Sequence, residues 1–147
     1  MVEWARAFGA EVWLHEADRE HVVRPDPALR FWSGATQPLL GDLTLINAPG
    51  HFDGATMLHW PGGAGGRGCL LSGDIVQVSA DRATAGFMRS YPNWIPLGPA
   101  GVRRIGDAVR PFGFERVYGA WWDRAIMSDG KAAVERSVAR TLRWLAD

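Results

Sequence analysis

The sequence predicts a mixed α/β (α+β) fold, with a mixed sheet flanked by helices. Three observations carry that expectation. The 147 residues are 47% hydrophobic and 22% charged, close to an average soluble globular chain, which is enough for one sizeable core and too little for two. Short apolar runs of strand length recur along the chain. Two longer segments carry their apolar residues at helical spacing, and both lie late in the sequence. Hairpin-like strands with late helices favour a layered α/β sandwich over a doubly wound parallel sheet.

Met1 to Phe8 reads as the end of a helix, closed by Gly9 as a C-cap. Glu11 to Leu14 is a short strand, and Ala17 to Val23 a short helix stopped by Pro25. Pro27 to Pro38 reads as irregular. Leu43 to Asn47, Thr56 to Trp60 and Cys69 to Asp74 read as strands. Between the last two, Pro61 to Gly68 holds five glycines in eight residues. It lacks the Gly-Lys-Ser/Thr ending and the following helix of a phosphate cradle, and so reads as a mobile hairpin loop. Gly86 to Pro99 is a loop rich in proline and aromatic residues. A helix follows from Ala100 to Arg110, with Val102, Ile105 and Val109 on one face, then a strand from Glu115 to Gly119. The last helix starts at Ser128 or Asp129 and buries a stripe of Val134, Val138, Thr141 and Leu145.

Composition excludes several classes of function. Sixteen basic and sixteen acidic residues cancel, and no run of one sign exceeds a dipeptide, so neither a nucleic-acid footprint nor an anionic-membrane patch is visible. No segment approaches the ~20 apolar residues of a membrane span. The N-terminal residues do not form a signal peptide. One cysteine, Cys69, allows no intramolecular disulfide and reads as a buried strand residue, so a reducing cytoplasm is the expected compartment. Eight tryptophans are many for this length, and most are expected in the core or at subunit contacts, because each buries a large apolar area.

Chemistry concentrates in two stretches. Leu45-Ile-Asn-Ala-Pro-Gly-His51-Phe-Asp-Gly-Ala-Thr56 carries a strand into a turn at His51. Leu70-Leu-Ser-Gly-Asp74 does the same at Asp74. A neutral imidazole and a carboxylate are both metal ligands, and strand ends hold them with one side open to substrate. Gly50 and Gly73 stand where the backbone must turn sharply. Taken alone, each residue has a plainer role, a surface hydrogen bond for the histidine and a turn former for the aspartate. His15 reads as a local cap, His21 as solvated, and His59 as a strand residue facing either the helices or the pocket.

Together, Pro-Gly-His51-x-x-Gly, a strand, a glycine-bearing hairpin and Leu-Leu-Ser-Gly-Asp74 resemble the second half of the metallo-β-lactamase superfamily. The order of elements after Asp74 resembles it as well. The resemblance implies a partial αββα sandwich over residues 1–147, a single truncated domain of that type. It implies His51 and Asp74 as metal ligands, zinc as the metal, and hydrolysis of an ester, lactone or thioester bond in a small molecule. Two features depart from the family. Its His-x-His-x-Asp-His cluster, which would precede the helix at Met1, has no counterpart here. Where the family places a final histidine, after Arg116 to Gly119, this chain has Ala120-Trp121-Trp122.

Two readings follow: a metal-dependent hydrolase that is inactive or weakly active as this chain, or a non-catalytic binding or assembly module that keeps the fold. Catalytic residues beyond the two ligands are unassigned. Zinc is expected to be substoichiometric or absent. Half of a two-sheet sandwich leaves an apolar sheet face to cover, so a homodimer with a tryptophan-rich interface is expected.

Overall fold

The computed structural model describes residues 1–146. Helix α1 (Val2–Phe8) ends at Gly9, whose left-handed φ of 59° makes the anticipated C-cap. Strand β1 (Val12–His15) leads into a 3-10 helix over Glu16–His21. The segment expected to be irregular instead supplies β2 (Leu29–Trp32) and β3 (Thr36–Pro38). The β2 strand pairs in parallel with β1, and β3 forms a sheet edge against β4. Both pairings are set by tertiary contacts that local punctuation by proline does not reveal, and Pro38 is tolerated because β3 is an edge strand.

The main sheet continues with β4 (Thr44–Asn47), β5 (Thr56–Trp60) and β6 (Cys69–Gly73). Between β5 and β6 lies α2 (Gly63–Gly66), a single distorted turn. Two short hairpins follow, β7 (Gln77–Val78) with β8 (Ala85–Gly86), and β9 (Met88–Ser90) with β10 (Ile95–Pro96). Helix α3 spans Pro99–Val109, β11 Arg116–Gly119, β12 Ala125–Ile126 and α4 Gly130–Trp144. The order in the sheet is β12-β11-β6-β5-β4-β3, antiparallel except for β6 with β11. The expected mixed sheet with flanking helices is therefore present.

Alternation along each strand divides the side chains between two faces. Ile46, Met57, Leu70, Val117 and Ile126 point to the helical side and are almost wholly buried with Val102, Ile105 and Val109 of α3 and Val134 of α4. Val138 and Leu145 pack at the margin of this core, as the helical stripe anticipates. His59 lies on the same side, where its Nε2 meets the Gly113 carbonyl at 2.8 Å. Ser137, the buried polar residue of α4, accepts from the Ala85 amide and donates to the Ala133 carbonyl. Lys131 donates to the carbonyls of Arg110 and Phe112, tying the start of α4 to the end of α3.

The tryptophans do not build this core. Trp32 alone is buried, and Trp4, Trp60, Trp94, Trp121, Trp122 and Trp144 are exposed. Aliphatic side chains, with Phe87 and Phe114, fill the space between sheet and helices, and no indole is among them.

The glycine-rich turn is not an open loop. Gly68 accepts from the amides of Glu115 and Arg116 and so fastens the turn to the start of β11. Its φ is +86°, and a Cβ there would lie 2.2 Å from the Gly113 carbonyl oxygen. Gly68→Ala therefore adds both backbone strain and a steric clash. Urea unfolding should show a loss of roughly 3 kcal/mol; a loss below about 1 kcal/mol would mean that the turn yields easily.

Candidate functional site

His51 and Asp74 sit in turns after adjacent ends of the sheet, His51 after β4 and Asp74 directly after β6. The structure brings them together: His51 Nε2 lies 3.9 Å from Asp74 Oδ2. A bulge positions the aspartate. Tyr118 pairs with Leu71 while Gly119 pairs with Gly73, so Ser72 is the extra residue on β6. Its buried hydroxyl donates to the Val76 carbonyl at 2.9 Å, which holds the tight turn below Asp74. Gly73 takes a left-handed φ of 56°, as a sharp turn there requires. Gly50 serves a different purpose. A Cβ on it would come within 3.0 Å of a Leu97 methyl and 3.2 Å of an Ile105 methyl, so glycine there allows close packing against α3 and the residues before it.

The segment expected to be a loop, Gly86 to Pro99, supplies the residues that fix this pair, and sequence reasoning named none of them. His51 Nδ1 donates to the Arg89 carbonyl at 2.9 Å, and Arg89 in turn donates to the Gly50 carbonyl. A carbonyl can only accept, so Nδ1 carries the proton and Nε2 of the neutral ring keeps a free lone pair toward Asp74. Tyr91 touches both partners. Its ring packs edge-on against His51 at 5.2 Å, and its hydroxyl donates to the Asp74 carbonyl. Burial, aided by the Asp74 carboxylate, pushes the Tyr91 hydroxyl above its ordinary range and keeps it a donor at neutral pH. The only hint in the sequence is the aromatic and proline content of the segment.

Rings continue to either side. Phe52 packs edge-on against His51, His21 against Phe52, and Trp121 lies 5.3 Å from Tyr91. His21 is thus exposed but in aromatic contact. Trp121 walls the outer side of Tyr91. Trp122 points to solvent, 97% exposed. His15 caps the 3-10 helix by accepting from the Ala17 amide through Nδ1, as anticipated.

His51 and Asp74 open into a cleft of about 330 Å³ bordered also by His15, Asp18, Phe52 and Thr56. Asp18 accepts from the Gly54 amide and so ties the 3-10 helix to the His51 turn. Among the described residues, no group of three or more His, Cys, Asp or Glu side chains is gathered to hold a metal. A neighbouring cleft of about 340 Å³ is more apolar, lined by Val2, Leu14, Val22 and Phe52 among others.

This architecture is a partial metallo-β-lactamase-like fold. A class B3 metallo-β-lactamase with an active-site glutamic acid superimposes with a TM-score of 0.60 at 19% identity, covering 98% of this chain and 63% of that one. The class B3 di-zinc enzyme LRA-12, from an Alaskan soil metagenome, gives a TM-score of 0.51 at 16% identity, covering 99% of this chain and 64% of its own. In sequence, the chain is 44% identical over 144 residues to the uncharacterized protein YmaE of Bacillus subtilis (strain 168). The match takes in 98% of this chain, which spans about half (52%) of the length of that curated relative. No protein-family model matches the chain.

Tyr91→Phe keeps the ring but deletes its bond to the Asp74 carbonyl. Equilibrium unfolding should show a loss of about 1 kcal/mol, whereas unchanged stability would mean that the bond contributes nothing in solution.

Proposed function

We propose that this is a metallo-β-lactamase-fold protein in which His51 and Asp74 form a weak zinc site, with hydrolysis at or near background for this chain. The orientation of His51 carries the reading. Its Nδ1 proton is held by the Arg89 carbonyl, so Nε2 is presented as a ligand beside a carboxylate oxygen. Zinc binds imidazole nitrogen and carboxylate oxygen at about 2.0–2.2 Å, and atoms 3.9 Å apart can both reach one such ion. The di-zinc content of one structural neighbour supports the choice of metal.

The donor set falls short of a catalytic site, which takes three protein ligands and a water. No third donor joins the pair among the described residues. When bound, zinc supplies Lewis acidity toward an ester, lactone or thioester carbonyl. The chain's own contribution is to orient His51 through Arg89, to hold Asp74 through Tyr91, and to shape a cleft for a small molecule. No described helix is long and apolar enough to cross a membrane. A cytoplasmic location is part of the proposal, supported by the single free and buried cysteine.

A second reading, a binding or assembly module, is favoured by Trp121, an aromatic wall where the resembled fold has a ligand.

Zinc titration against a competing chelator tests the proposal. The dissociation constant should exceed about 1 μM, far weaker than the roughly 10–16 kcal/mol of four-ligand structural sites. His51→Ala and Asp74→Ala should each abolish the binding. Stoichiometric zinc retained through dialysis, or binding indifferent to both substitutions, would contradict it. In parallel, β-lactam, lactone and thioester turnover should stay at background; turnover lost to a chelator and restored by zinc would establish an active hydrolase instead.

A further inference from the structure

Six arginines of this chain, from Arg6 to Arg110, each lie within ion-pair reach of an aspartate or glutamate. Three on helix α4 do not. Arg136, Arg140 and Arg143 stand at i, i+4 and i+7, which puts them on one side of the helix. Together they line a cleft of about 430 Å³ with Thr84, Ser137 and Ala139, and no Asp or Glu among the described residues borders it. The cleft lies between α4 and the start of β8, where Arg140 Nη2 donates to the Ala85 carbonyl at 3.3 Å. It shares no lining residue with the cleft at His51 and Asp74.

Like charges four residues apart on a helix repel, so this arrangement costs stability unless an anion offsets it. The chain's own acids near it are occupied elsewhere. Asp81, in the turn before β8, accepts from the amides of Ala83 and Thr84 and from the Thr84 hydroxyl. Glu135, the acidic residue of α4, borders the groove toward α3 instead. The Ser137 hydroxyl donates to the Ala133 carbonyl, which leaves the guanidiniums as the donors the cleft can offer. Arg140 shows the missing acceptor directly. Its Nε is buried and meets no hydrogen-bond partner among the described residues. An unpaired buried N–H of a charged group is costly, and an anionic oxygen is the acceptor that offsets it best.

We propose that this cleft binds the phosphate group of a small soluble molecule. A guanidinium is a planar fork that grips phosphate oxygens two at a time. A phosphate monoester carries roughly −1.5 to −2 charges at pH 7, so three arginines can neutralise it fully. The Trp144 ring, centred 5.1 Å from Arg140 Cζ, helps hold that side chain in place. A concave cleft of this volume suits a small ligand. With sixteen acidic residues against sixteen basic ones, no wider positive field extends from it to attract a nucleic acid or an anionic membrane.

Calorimetric titration of the whole chain with inorganic pyrophosphate, at low salt in metal-free buffer, should give a dissociation constant below about 1 mM. Arg136→Gln and Arg143→Gln, both at exposed positions, should each weaken binding at least about 10-fold. Arg103→Gln, equally exposed on α3, should leave it unchanged. Phenylglyoxal labelling of the unsubstituted protein gives a readout that no variant's folding can confuse. Pyrophosphate should protect Arg136, Arg140 and Arg143 and leave Arg103 reactive. Vesicles of phosphatidylcholine and phosphatidylglycerol should not retain the chain. No measurable binding, binding indifferent to both α4 substitutions, equal protection of Arg103, or retention on the vesicles would each overturn the proposal.

Discussion

The parallel pairing of β6 with β11 is the constraint on which the rest depends. Neighbouring antiparallel strands can be joined by a tight turn, but a parallel pair requires a long crossover to bring the chain back to the same end. Here the crossover is everything from Asp74 to Glu115, including both short hairpins and α3. It covers the helical side of the sheet and delivers Gly73 and Gly119 to one edge, side by side. The turn at Asp74 and the Trp121 loop meet there because each follows the same end of one of two parallel strands, and Tyr91, within the crossover, reaches the Asp74 carbonyl.

Within that frame the site is held mostly by backbone. The imidazole of His51 is fixed by a carbonyl at Arg89, the Asp74 turn by the Ser72 and Tyr91 hydroxyls, and the Gly54 turn by the Asp18 carboxylate. Three of these acceptors, at Arg89, Val76 and Asp74, are main-chain carbonyls, and the Nε2 and carboxylate atoms of the pair are left out of these bonds. The aromatic series from His21 through Phe52, His51 and Tyr91 to Trp121 occupies the sides of the imidazole and leaves its edge as the reactive direction.

How far the sequence could be read depended on the range of the interactions involved. The strands at Thr56 to Trp60 and Cys69 to Gly73, the left-handed Gly9 cap and the amphipathic face of α3 are written in local periodicity and punctuation, and each lies within a residue or two of its expected position. The juxtaposition of His51 and Asp74 was legible only because two motifs occurred in a familiar order. The strands β2 and β3 were not legible, since their partners are distant or at an edge and their prolines resemble loop signals. Tyr91 and Arg89 escaped for a related reason: one acts through its hydroxyl on a main-chain carbonyl, the other through its own carbonyl, and nothing in residue type announces either role.

The tryptophans show where composition misleads. A large apolar side chain is expected inside, yet the core between the sheet and α3–α4 is made of Ile, Val, Leu, Met and Ala with Phe87 and Phe114, and holds no tryptophan. Those side chains fill the space without a buried indole N–H to satisfy. Trp32, the one buried indole, shows the cost, since its Nε1 meets no hydrogen-bond partner among the described residues. The other seven indoles, six exposed and Trp13 half-buried, avoid that penalty. The same sheet therefore presents two different surfaces, one buried against α3 and α4 and one on which Leu71 and Trp60 stay 40% and 47% exposed.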